Sequence, residues 1–191
     1  MSNNDSIDLT GNLRTSLQVL YPTEPDNSMK CVEIGSFEGL GSLLIHDYLC
    51  KNSDSQLVCI DPFDDEYVKG NEKMSFWDHA CNGQYAKFQH NTKGIHKIVE
   101  KRGTSDMMIP TLDDKSIDFC YIDGDHSPEQ VYKDIVNMFG KMKSGGIVLF
   151  DDYLWNINGI QTKLGIDRFL NEYKGKFELI FKNYQLALRI V

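Results

Sequence analysis

The chain has 191 residues, a formal net charge of −8, 41% hydrophobic and 25% charged residues, the balance of an ordinary globular protein rather than a disordered or fibrous one. The acidic excess argues against a nucleic-acid binder that works through a broad basic surface, and no apolar stretch approaches the roughly 20 residues a membrane span needs. Five cysteines, odd in number and without a C-x-x-C pair, argue against a disulfide framework or a zinc site; Cys31, Cys59 and Cys120 fall inside apolar runs, where a reduced cysteine packs as a small hydrophobe.

The polar start MSNNDSIDLTGN has no signal-peptide core, so a cytoplasmic location is expected. One domain over 1–191 is also expected, with 1–27 as an N-terminal extension or helix. Short apolar runs then recur at 30–34, 56–60, 96–99, 117–122 and 146–150, continuous rather than alternating, as parallel strands buried on both faces are. Helical patterns lie between them. LGSLLIHDYLC follows the first run, and SPEQVYKDIVNMFGKM follows the fourth. The latter opens with Ser127 as N-cap, Pro128 at the first helical position and Glu129 in the first turn. Val131, Ile135, Met138 and Met142 fall on one face of that helix, and Gly145-Gly146 ends the crossover. Two further runs, 177–181 and 186–191, are separated only by KNYQ, too short for a helical crossover, and predict an antiparallel hairpin at the sheet's end. The pattern predicts an α/β fold, a parallel sheet with helices on both sides. The irregular segment 62–94 is too long for an ordinary loop and reads as a lid or acceptor-binding insertion.

In such folds ligands bind beyond the carboxyl ends of the strands, and these ends are consistently polar. After the first run comes EIGSFEGLGS: Glu33, then Gly35, Ser36, Gly39, Gly41 and Ser42. Phe37 stands where G-x-G-x-x-G needs glycine, and no Lys-Ser/Thr follows, which disfavours a dinucleotide fingerprint or a P-loop. Asp61 in CIDPF ends the second run, where an acid can accept both hydroxyls of a ribose or simply cap a turn beside Pro62. Ser105 in KRGTSDMM is either a site residue or a helix N-cap. The fourth and fifth runs end in IDGDHS and FDDY, bringing Asp123, Asp125, His126, Asp151 and Asp152 to neighbouring strand ends. Four acids so placed would destabilise one another without a counter-ion.

These motifs, in order over residues 28–190, resemble class I S-adenosylmethionine-dependent methyltransferases, which have a Rossmann-like three-layer sandwich. The pairing of IDGDHS with FDDY is similar to the metal-dependent O-methyltransferases that tailor sugars in macrolide and aminocoumarin antibiotics (macrocin and novobiocin type); catechol-type relatives have Asn where this chain has Asp152. The resemblance implies a seven-stranded sheet of order 3-2-1-4-5-7-6 with strand 7 antiparallel. It implies S-adenosylmethionine held by Glu33, Gly35, Ser36, Gly39, Gly41, Ser42, Asp61, Ser105 and Asp123. Mg²⁺ or Mn²⁺ would be bound by Asp123, Asp151 and Asp152, with Asp125 as general base and His126 as its rival. The acceptor would be a small molecule, a sugar or nucleotide-sugar, walled by Phe76, Trp77, His79, Tyr85 and the loop 153–161; the resemblance also allows a homodimer. A metal-independent enzyme and a non-catalytic S-adenosylmethionine-binding module remain the alternatives.

Overall fold

The computed structural model describes residues 11–64, 83–157 and 159–191. A seven-stranded sheet is built from β1 (Lys30–Ile34), β2 (Gln56–Asp61), β3 (Ile98–Arg102), β4 (Ile117–Ile122), β5 (Met142–Phe150), β6 (Phe177–Lys182) and β7 (Leu186–Ile190). Its order is β3-β2-β1-β4-β5-β7-β6. The first five strands run parallel, and β7 lies antiparallel to both β5 and β6. The helices are α1 (Gly11–Leu20), α2 (Leu40–Leu49), α3 (Gln84–Asn91), the short α4 (Ser105–Met108), α5 (Pro128–Phe139) and α6 (Thr162–Glu172).

Alternation along the strands sorts side chains into two layers. Val32, Ile34, Cys120 and Ile122 face α5 and α6, which contribute Val131, Ile135, Met138, Ile166 and Phe169. Cys31, Cys59, Phe119 and Tyr121 face α1 and α2, which contribute Leu13, Leu17, Leu44, Ile45 and Leu49. Cys31, Cys50, Cys59 and Cys120 are buried free thiols, as their apolar surroundings predict. Among the described residues no helix is long and apolar enough to cross a membrane.

Three local expectations are corrected. The third strand begins at Ile98 and runs on through Glu100, Lys101 and Arg102. Among the described residues it is an edge strand, paired only with β2, so charged side chains can point to water along it. Met142 does not continue the α5 face: the helix ends at Phe139 with Gly140 as C-cap, and Met142 opens β5 opposite Ile117. The backbone N–H groups of Ser116 and Ile117 both donate to the Lys141 carbonyl, which draws the chain back into the sheet before the glycine pair. A two-stranded ribbon, Asn156–Ile157 with Ile160–Gln161, also follows β5 where only a loop was expected.

The cap of α5 forms as its residues dictate. Ser127 accepts the Gln130 N–H and Pro128 occupies the first turn. Helix α6 then packs so closely that a Cβ on Gly165 would lie 2.0 Å from the Pro128 carbonyl oxygen, and Thr162 Oγ1 donates to the His126 carbonyl at 3.3 Å. The start of α5 is therefore set from two sides. Gly165→Ala should force the helices apart and lower unfolding free energy by about 1–3 kcal/mol in urea titration; wild-type stability would contradict the packing described.

Candidate functional site

Asp61, 6% exposed at the end of β2, organises the first half of the sheet's carboxyl edge. Its Oδ2 accepts the backbone N–H groups of Ser36 (2.9 Å) and Phe37 (3.0 Å), and its Oδ1 accepts that of Phe63 (2.6 Å). Phe37 and Phe63 both have left-handed backbones, with φ of 47° and 49°. Such a conformation costs a non-glycine residue about 1–2 kcal/mol, whereas a hydrogen bond to a charged group contributes about 1.5–3 kcal/mol. The carboxylate's bonds therefore outweigh the strain. Phe37 thus adopts, at the position where a dinucleotide fingerprint has glycine, the conformation that glycine would supply.

The glycines serve close approach, and mostly to protein atoms. Gly35 has φ of 87°, and a Cβ there would sit 2.0 Å from the Asp123 carbonyl oxygen, pinning the loop to the end of β4. A Cβ on Gly41 would meet Glu33 Oε1 at 2.6 Å, and one on Gly39 would meet the Phe88 ring at 3.0 Å. Glu33 is 1% exposed and accepts a short hydrogen bond from Ser42 Oγ. Burial pushes its carboxyl up to about 7; the Ser42, Ser36 and Cys59 side chains oppose that rise and the Asp61 charge adds to it. Ser36 Oγ lies near Glu33, yet it is buried without a hydrogen-bond partner of ordinary geometry.

Ser105 is placed apart from this group. Its N-terminal neighbour Thr104 holds the cap position of α4, while Ser105 Oγ donates to Asp134 Oδ1 at 2.6 Å and accepts from Gln130 Nε2 at 3.1 Å. Asp134, buried on the inner face of α5, is pushed up to about 6 by desolvation against those hydrogen bonds.

The second half of the edge holds the aspartate motifs. Side-chain donor atoms of Asp123, His126 and Asp152 lie within 4.8 Å of one another. His126 Nε2 and Asp152 Oδ2 are 2.7 Å apart, and the imidazole stacks on Trp155 with ring centres 4.5 Å apart. Asp123 accepts no side-chain hydrogen bond from the described residues; burial, then the charges of Asp151 and Asp152, hold its carboxyl well above the usual range. Asp151 is satisfied differently. Its Oδ2 accepts from Tyr121 Oη (2.6 Å), and its Oδ1 accepts from Gln185 Nε2 and the Asp152 N–H (both 2.9 Å). Asp152, left-handed at φ 53°, accepts a short hydrogen bond from Tyr184 Oη. Asp125 Oδ1 accepts the Ser127 N–H at 2.7 Å.

The structure therefore brings together Glu33, Gly35, Ser36, Gly39, Gly41, Ser42 and Asp61 on one side and Asp123, His126 and Asp152 on the other. It turns Asp151 toward Tyr121 and Gln185, and Ser105 toward Asp134. Two carboxylates and an imidazole at these separations suit a divalent cation, with the site's charge imbalance as the reason to hold one. Tyr184, Gln185 and Tyr121 were not singled out as site residues from the sequence, whereas Trp155 belongs to the loop 153–161 expected to wall the acceptor. The antiparallel last strand was the available signal, since its start must sit beside the end of β5. Phe76, Trp77 and His79 lie outside the described residues. Tyr85 packs on Phe63 and donates to Glu100 of β3 (2.7 Å), so its contacts are with the β2–β3 side.

Residues 32–153 match the family described as "Methyltransferase domain". A protein of Acanthamoeba polyphaga mimivirus, "Uncharacterized protein R132", is 32% identical over 142 residues, 72% of this chain; the chain spans 57% of that relative's length. Among solved structures, the fold is similar to the O-methyltransferase NovP (TM-score 0.68, 18% identity, 94% of this chain and 78% of that one). It is similar also to the O-methyltransferase TomG from Streptomyces achromogenes (TM-score 0.61, 17% identity, 95% and 80%), which is involved in tomaymycin synthesis and was solved in complex with SAM.

The Glu33 environment has a measurable consequence. Its native pKa stands above the unfolded value of 4.5, so the folded state keeps a proton that the unfolded state loses. Stability from this group must fall as pH rises from about 4.5 to about 7. Glu33→Gln should match wild-type stability near pH 5 and exceed it above pH 7 by on the order of 2–3 kcal/mol. A difference independent of pH in denaturant titrations would contradict this.

Proposed function

This chain belongs to the methyltransferase-domain family, and we propose that it is an S-adenosylmethionine-dependent O-methyltransferase that uses a divalent cation, Mg²⁺ or Mn²⁺, to activate a hydroxyl of a small polar acceptor, a sugar or nucleotide-sugar. The observation that carries the reading is the Asp123–His126–Asp152 cluster, one loop away from the glycine segment at the same sheet edge. A carboxylate without a protein donor, beside two others, is poorly explained as a structural cap.

When bound, S-adenosylmethionine supplies an electrophilic methyl group on a sulfonium. Asp61, with about four lone-pair sites of which three are used, retains one acceptor position for a ribose hydroxyl. Asp123, Asp152 and His126 would hold the cation, whose chemistry is to lower the pKa of an acceptor hydroxyl. Asp125 is the proton acceptor in this reading: Oδ1 is fixed by the Ser127 N–H, and Oδ2 accepts no hydrogen bond from the described residues. Transfer to the acceptor oxygen then needs alignment rather than a covalent enzyme intermediate. Trp155 and Tyr184 flank the cluster with the flat faces that sugars stack against.

The 2.7 Å His126–Asp152 contact favours one second reading, a metal-independent enzyme in which Asp152 orients His126 as the base. The two readings separate cleanly. With labelled S-adenosylmethionine and a panel of hexoses, nucleotide-hexoses and catechols, EDTA should abolish labelling and Mn²⁺ should restore it. Asp125→Asn should lower turnover by about 10²–10⁴, whereas His126→Ala should chiefly raise the Mn²⁺ needed for half-maximal rate. Full turnover in EDTA with loss in His126→Ala would establish the second reading, and labelling of catechols alone would overturn the acceptor class.

A further inference from the structure

We propose that the hairpin turn Asn183–Gln185 is a positioning clip for the aspartate pair: Gln185 holds Asp151 as a buttress outside the cation's ligand set, so that Asp152 alone of the two presents its carboxylate to the site. This inference rests on the reading above that the cluster holds a divalent cation.

Consecutive residues of the turn bond consecutive aspartates. Tyr184 Oη donates to Asp152 Oδ1, and Gln185 Nε2 donates to Asp151 Oδ1. Backbone geometry locks the two segments together, with the Tyr153 N–H donating to the Tyr184 carbonyl at 2.8 Å and Phe150 registered opposite Leu186. Gln185 is 2% exposed, and both ends of its amide are used: Oε1 accepts from Ser16 Oγ of α1 at 2.5 Å. The amide cannot flip without placing its NH₂ against the Ser16 hydroxyl and its oxygen against a carboxylate. The orientation of Asp151 is thereby tied to α1.

Asp151 has about one acceptor position left, and its carboxylate is not among the ligand atoms that Asp123, His126 and Asp152 bring within 4.8 Å of one another. A carboxylate has about four acceptor sites, and three donors already occupy this one. One of those donors is the Asp152 N–H itself, so the same bond that satisfies Asp151 holds the left-handed turn that points Asp152 toward His126. Asp123, by contrast, accepts nothing from the described side chains. Ser16, Tyr184 and Gln185 all fall outside residues 32–153, the part that matches the family.

Hydrogen bonds that orient metal-binding groups typically govern affinity by about 10–100-fold. The test is calorimetric Mn²⁺ titration of the full chain, with melting temperature measured in parallel. Gln185→Leu should weaken Mn²⁺ binding by roughly 10–100-fold. Ile135→Val, a core change on α5 away from these contacts, should lower the melting temperature by about 2–4 °C and leave Mn²⁺ affinity unchanged. Asp151→Asn should leave Mn²⁺ affinity close to that of the wild type, because its amide oxygen can still accept from Gln185 and the Asp152 N–H while its NH₂ donates to Tyr121 Oη. If Gln185→Leu binds Mn²⁺ as the wild type does, or if Asp151→Asn loses Mn²⁺ binding as the removal of a ligand would, the proposal is overturned while the cation reading stands. If the wild type binds no Mn²⁺, both are overturned.

Discussion

Five carboxylates crowd the carboxyl edge of one sheet, where water is scarce, and the structure around them is shaped by how each is balanced. Desolvation raises the pKa values of Glu33, Asp61, Asp123 and Asp151 alike, so each needs donors or a counter-charge to remain ionised. Asp61 takes three backbone amides and in doing so fixes two loops. Glu33 takes a serine hydroxyl beneath the first turn of α2. Asp151 takes a phenol, an amide and its neighbour's N–H. Asp152 takes a phenol and an imidazole. Only Asp123 among these five receives no side-chain or backbone donor from the described residues, and it shares the cluster with His126 and Asp152.

From that accounting the division of the edge into two halves follows. The β1–β2 half is built from backbone, with left-handed residues and glycines packed against protein atoms, and it is rigid because one buried carboxylate binds both of its loops. The β4–β5 half is built from side chains brought in by separate elements: β4, the start of α5, the end of β5, the hairpin turn and, through Ser16, α1. A methyl donor on the first half and an acceptor on the second would meet above Gly35 and Asp123, whose backbones touch. That contact is the hinge of the catalytic argument, because in-line displacement rewards fixed distance above all else.

Much of this was legible in the residues. Continuous apolar runs marked the parallel strands, Ser127-Pro128 marked the start of α5, and the four-residue KNYQ link marked an antiparallel ending. The polar residues after each run marked the site. Local pattern misassigned Met142, because a helix face and a strand start both want an apolar residue and only the Ile117 pairing decides between them. The resemblance gave Asp151 and Asp152 one shared role, and the partners that distinguish the two are not visible in the motif. Those partners, Tyr121 and Gln185, lie 30 and 34 residues away, and Ser16 lies 169 residues from Gln185. Contacts of that range leave no periodic trace. Asp134 was hidden for a related reason, as a carboxylate on a buried helix face reads as a solvated one until Ser105 and Gln130 are placed beside it.

The central claim is that a cation sits between the second half's carboxylates, close to the methyl donor. Anomalous diffraction at the manganese edge, from crystals grown with Mn²⁺ and S-adenosylhomocysteine, tests it most directly. The account predicts one peak bonded to Asp123, Asp152 and His126, with Asp151 still held by Tyr121 and Gln185 and the adenosyl group lying over the 35–39 loop. A peak ligated by Asp151, or none at full S-adenosylhomocysteine occupancy, would contradict it.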